Sequence, residues 1–130
     1  AHYSKIMSYR NLLIYQKAHE LGVKVHFFSM KLPKYELYET GSQLRRASKS
    51  ISANIVEGYG RRNYVSDYYR FLVYAHSSCD EAIEWIEYIR DCHENLQEES
   101  RALLDEFNGL GKMINGFMRS RKDKFQETRK

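Results

Sequence analysis

GSQLRRASKSISANIVEGYGR, residues 41–61, is the stretch that decides the fold of this chain. At about 100° per residue on a helix, Leu44, Ala47, Ile51, Ile55 and Gly58 fall on one narrow strip. Beside that strip lie Gln43, Arg46, Ser50, Asn54, Glu57 and Arg61, a polar residue at nearly every turn. Asn and Ser at the edge of an apolar seam point to side-chain hydrogen bonds between packed helices, because buried polar groups must find partners. The expectation is therefore a polar ladder with Asn54 inaccessible and bonded, against the simpler reading of an amphipathic helix with a polar border.

The same residues carry a family resemblance. Ser42–Arg61 reads SQLRRASKSISANIVEGYGR. It resembles the signature SQLRRAxxSIPxNIxEGxGR of the 23S ribosomal RNA intervening-sequence proteins, also called four-helix-bundle proteins. The resemblance extends upstream through Ile14–Ala18 and Leu32–Lys34, and downstream through Tyr69–Leu72 and, more weakly, Gly111–Ile114. Ser52 stands where the family usually has Pro, which puts any kink there in doubt. The resemblance implies a helical bundle and a homo-oligomer of five subunits. The family's genomic association with ribosomal RNA makes RNA the partner class it implies.

Working outward, a first helix is expected over about Tyr9 to Lys31, with Ile14, Ala18, Leu21, Gly22, Val25, Phe28 and Leu32 as its seam and Pro33 as its stop. Val23, Phe27 and Met30 lie on its other side. The signature helix is expected from about Glu39 to Tyr59. Gly58 and Gly60 fit a left-handed C-terminal cap, and Gly58 equally fits a close helix approach. A third helix should start near Ser66 as N-cap, with Asp67 in its first turn, and run to about His93. Its seam is Tyr68, Phe71, Leu72, Ala75, Cys79, Ala82, Ile83, Ile86 and Ile89. Val73, Tyr74, Trp85 and Tyr88 sit opposite, among acids. The fourth helix, about Gln97 to Lys122, has one stripe of Leu103, Leu104, Phe107, Leu110, Gly111, Ile114, Phe117 and Met118. Gly109, Gly111 and Gly116 weaken it unless they serve close packing.

Four amphipathic helices with short connections predict an all-α, antiparallel up-down-up-down four-helix bundle. Residues 1–130 read as one domain, with about 119–130 a basic, fraying tail. Seven Gly and one Pro argue against an all-β fold. No apolar run is long enough for a membrane span and no signal peptide is legible, so the expected location is cytoplasmic, without membrane association. Cys79 and Cys92 form no disulfide framework.

Charge is uneven. Residues 1–38 hold six Lys/Arg against two acids, and residues 64–94 hold two against seven. That asymmetry marks either a partner footprint or the pairing of neighbouring helices. No catalytic constellation is present: His19 and His26 lack an accompanying carboxylate motif, and His76 shares its helix with a core Cys79. The expected class is non-enzymatic, with no cofactor and no metal.

Two functions remain. One is nucleic-acid binding, RNA or DNA, through Arg45, Lys49, Arg61, Arg62, Arg119, Arg121, Lys122 and Lys124. RNA-specific modules interleave aromatics with basic residues on a sheet or loop; no such pattern is legible, so contacts are expected mainly to phosphates. The other is a homo-oligomeric scaffold whose working partner is a protein. Val23, Phe27, Met30, Val73, Tyr74, Trp85 and Tyr88 form the expected subunit interface for either, in a closed, heterologous ring.

Overall fold

Ser8 caps a 3-10 turn: its hydroxyl accepts the Arg10 N–H, and its own N–H donates to Asn11 Oδ1. The structure, a computed structural model, describes residues 8–121. After the turn Tyr9–Asn11 come α1 (Leu13–Ser29), α2 (Lys34–Leu37), α3 (Thr40–Gly60), α4 (Val65–Cys92), a 3-10 turn Glu94–Leu96, and α5 (Gln97–Ser120). No strand occurs among the described residues, and the four long helices pack as a bundle.

The contacts pair residues in reversed order along successive helices. Arg45 meets Ser29, while Ser52 shares a groove with His19. Ser50 meets Ser78, while Gly58 meets Phe71. Cys79 meets Phe107, while Tyr68 meets Phe117. Inside lie Ile14, Ala18, Leu21, Val25 and Phe28 of α1, and Leu44, Ala47, Ile51 and Ile55 of α3. Leu72, Ala75, Cys79, Ala82, Ile86 and Ile89 of α4 meet Leu103, Leu104, Phe107, Leu110 and Ile114 of α5. Phe71, Ile83, Phe117 and Met118, expected in the seams, are only partly buried.

Helix ends depart from the expected ones for identifiable reasons. α1 stops at Ser29, four residues before Pro33; a hydrogen-bonded turn through Leu32 follows. Pro33 is a starter instead of a stop. With φ −62 it opens α2, and its carbonyl accepts the N–H groups of Glu36 and Leu37. Ser66 does not cap α4, because the Tyr64 carbonyl already accepts the Tyr68 N–H at 3.0 Å, which starts the helix at Val65. α5 includes Arg119 and Ser120, and residues 122–130 of the expected tail lie outside the described residues.

Gly58 is no left-handed cap. No glycine among the described residues has positive φ, and Gly58 is buried within α3. A Cβ placed on it would lie 2.9 Å from Phe71 Cβ and 3.4 Å from Tyr68 Cδ1. Close helix approach is its role. The α5 glycines do not share it: a Cβ on Gly111 would meet His76 and Cys79 only at 3.7 and 3.8 Å, and Gly109 faces open space.

At the other end of α3, Arg45 Nη1 donates to Ser29 Oγ at 2.9 Å and Nη2 to the Leu37 carbonyl at 3.0 Å. Nearby, His93 Nε2 lies 3.2 Å from Glu36 Oε1, and Thr40 donates to Glu36 Oε2. Burial pushes the Glu36 carboxyl up, but its bonds with His93 and Thr40 outweigh that and hold it below its ordinary value. This joint ties α1, α2 and α3 to the α4–α5 turn.

The α1 lysines pair with carboxylates across the surface of the bundle. Lys17 and Lys24 both reach Glu106, at 3.0 and 2.9 Å, and Lys31 reaches Glu99 at 2.7 Å. Much of the basic excess of the first helix therefore pairs with α5.

Gly58→Ala should destabilise the fold by about 1–3 kcal/mol through overpacking against Phe71. Urea unfolding followed by circular dichroism measures it, and Gly60→Ala, which meets nothing within 4 Å, is the matched control.

Candidate nucleic-acid interface

The end of the bundle where α3 turns into α4 is built on aromatic rings. Tyr59 packs edge-on against Tyr68, centroids 6.4 Å apart, and Tyr68 against Phe117 at 6.1 Å. Guanidinium groups sit over these rings. Arg62 lies 4.1 Å from the centroid of Tyr59, Arg121 3.8 Å from that of Phe117, and Arg61 4.5 Å from that of Phe71. Burial pushes the Tyr68 phenol up, and the charges of Arg121 and Arg62 pull it back, so both cations act at one place.

Carboxylates neutralise part of this charge. Arg61 pairs with Glu57 at 3.6 Å and Arg70 with Asp67 at 2.9 Å. Arg62, Arg119 and Arg121 have no carboxylate partner among the described residues. Among the described residues, these three carry charge at this end that no carboxylate balances.

The remaining candidate cations lie elsewhere. Arg45, expected on a free face, is the clamp described above, and its donors are committed to Ser29 and Leu37. Lys49 is exposed, but it lines a groove of about 300 Å³ between α1 and α3 with His19, Val23, His26 and Ser52. Lys122 and Lys124 fall outside the described residues. Arg46, which the wheel placed in the ladder, is exposed and has no charged partner among the described residues.

The ladder contracts to one rung between helices. Ser78 of α4 donates to Ser50 Oγ at 2.9 Å, and Asn54 Nδ2 donates to the same oxygen and to the Ser50 carbonyl. Asn54 is half-buried, and Gln43, Arg46 and Glu57 are exposed. Packed helices cross at an angle, so a straight stripe meets its neighbour over only part of its length.

Among the residues expected at a subunit interface, Phe27 is 64% exposed, with Val23 and Met30 beside it. It stands between the α1–α3 groove and a second, of about 340 Å³, between α1 and α5. Val73, Tyr74 and Tyr88 are exposed on α4. Trp85 differs from the expectation: it packs partly against the core and donates Nε1 to Glu81 Oε2 at 3.0 Å. An indole at a helix boundary buries one edge of its ring while the other stays wet.

No cluster of three or more His, Cys, Asp or Glu able to hold a metal occurs among the described residues. Cys79 is buried, its thiol pushed up to about 12 by burial, and donates to the Phe107 carbonyl. It behaves as a core residue. No described helix is long and apolar enough to cross a membrane.

Sequence reading missed the aromatic support. Arg61-Arg62-Asn63-Tyr64 was legible as a turn; the local pairs Tyr59/Arg62 and Phe117/Arg121, three and four residues apart, were the missed signal, whereas Phe71 reaches Arg61 only by the packing of α3 on α4. Fold and surface together define an all-α helical-bundle protein with a basic, aromatic-backed end. The chain belongs to the 23S rRNA-intervening sequence protein family, whose sequence pattern matches residues 10–116. The function of that family is uncertain, and it is not a known enzyme family. Comparison with curated proteins gave no match.

Arg45→Ala should lower stability by about 1–3 kcal/mol, because it removes charge-assisted bonds to Ser29 and Leu37. Its phosphate affinity should stay at the parent level. Chemical denaturation and a binding titration on the same preparation separate the two effects.

Proposed function

We propose that this protein is a non-catalytic, self-associating helical bundle that holds RNA by its phosphate backbone. The observation that carries this reading is the set of unbalanced guanidiniums Arg62, Arg119 and Arg121 at one end of the fold. The family description, which names a ribosomal RNA element, supports RNA over DNA as the partner. Self-association multiplies a modest charge per chain into a strong field, and repeated weak contacts add up to useful affinity.

The exposed faces of α1 and α4 support the assembly. Val23, Phe27 and Met30 on one and Val73, Tyr74 and Tyr88 on the other are different surfaces, so their contact is heterologous, the kind that makes a ring when its rotation closes. Burying one large apolar side chain contributes about 1.5–3 kcal/mol, enough to make such faces worth covering. Asp80, Glu84 and Glu87 on the α4 side complement Lys49 near the α1 ridge. The same exposed ridge favours a second reading, a scaffold whose partner is another protein.

Filter binding of RNA at two salt concentrations tests the proposal. Affinity should fall with a log–log slope of about −0.7 to −0.9 per phosphate neutralised. An Arg62→Glu, Arg121→Glu double variant should lose most of it. Binding absent at low salt, or unchanged in the double variant, leaves the scaffold reading. Light scattering should return an oligomer that Phe27→Asp dissociates; a monomer mass for the parent rejects self-association.

A further inference from the structure

Phosphate contacts alone do not distinguish one strand from two. The α3–α4 turn carries one more feature, the ring of Tyr64. It is 72% exposed, two residues from Arg62. Its backbone is fixed: the Tyr64 N–H donates to the Arg61 carbonyl at 2.7 Å, and its carbonyl accepts the Tyr68 N–H. An aromatic ring in water on a held backbone is a platform, and among the described residues no ring or cation contact involves it.

The neighbouring guanidiniums are held too. Arg62 spends Nη1 on the Tyr59 carbonyl at 3.0 Å, and Arg121 spends Nη1 on Ser120 Oγ at 3.3 Å. Each also sits over an aromatic ring, which limits its motion and leaves most of its N–H groups for another acceptor. Arg62 and the Tyr64 ring thus share one turn, and Arg121 joins them at the same end of the bundle.

We infer that this end of the bundle binds single-stranded RNA, with Arg62 and Arg121 on phosphates and an unpaired base stacked on Tyr64. The inference rests on the nucleic-acid reading above and adds the strandedness of the partner. A duplex keeps its base faces inside its own stack, so it can satisfy the arginines but offers nothing to Tyr64. A single strand satisfies both. Stacking is indifferent to base identity, so the site selects unpaired strand in preference to sequence.

Fluorescence anisotropy with a labelled oligouridylate tests this, beside two probes of the same length: an abasic strand and an oligouridylate–oligoadenylate duplex. The parent protein should prefer the oligouridylate over both by about tenfold or more, the usual worth of one stacked base. Tyr64→Ala should erase that preference and keep the weaker binding of the abasic strand. Tyr64→Phe should retain it. The exposed position makes misfolding of these variants unexpected, and circular dichroism checks it. Equal binding of all three probes by the parent overturns the stacking site and leaves backbone binding intact. So does a preference that survives Tyr64→Ala. Absence of binding by every probe at low salt rejects both.

Discussion

The closeness of α3 and α4 at Gly58 is the constraint from which the rest of this structure follows. Any side chain there would press on Phe71, and only a residue without one lets the two helices run this near each other at their joined ends. The turn between them can then be as short as Arg61–Tyr64. The same approach puts Tyr59 on Tyr68 and Phe71 beneath Arg61, and Tyr68 carries the stack across to Phe117 of α5. A packing requirement deep in the bundle thus sets the geometry of a charged surface. Stacked arginines lose less freedom on binding than free ones, so the aromatic support favours whatever anion they hold.

At the opposite end the logic is reversed, and polar groups do the fastening. Arg45 reaches Ser29 and Leu37, and Glu36 reaches His93 and Thr40. Both clusters satisfy groups that helix termini and short connections leave open. An arginine that looks free on a helical wheel is thereby used up. Lys17, Lys24 and Lys31 are likewise paired with α5 carboxylates, so a strongly basic first helix presents less free charge than its composition suggests. Exposed pairs of this kind add little stability. Their larger effect is to decide which cations remain for a partner.

Residues 41–61 determined the buried strip Leu44-Ala47-Ile51-Ile55-Gly58, and the same period in the other helices determined their seams and the helical class, because a 3.6-residue period leaves its mark on the chain one turn at a time. The apolar ridge of α1 was legible for the same reason: Val23, Phe27 and Met30 lie on a face that no seam uses. What the period does not carry is which neighbour a residue meets. The choice between cap and close approach at Gly58 was settled by the helix packed against it, while the start of α4 and the role of Pro33 were settled by local backbone hydrogen bonds. Ser50 found one rung to Ser78 in place of a ladder, since crossing helices part company along their length. Arg45 and Arg62 read alike in sequence, two exposed-looking cations of the same segment. Only the tertiary structure separated them: it commits both Nη groups of Arg45 to Ser29 and Leu37 on neighbouring helices, and leaves Arg62 exposed on the ring and carbonyl of Tyr59.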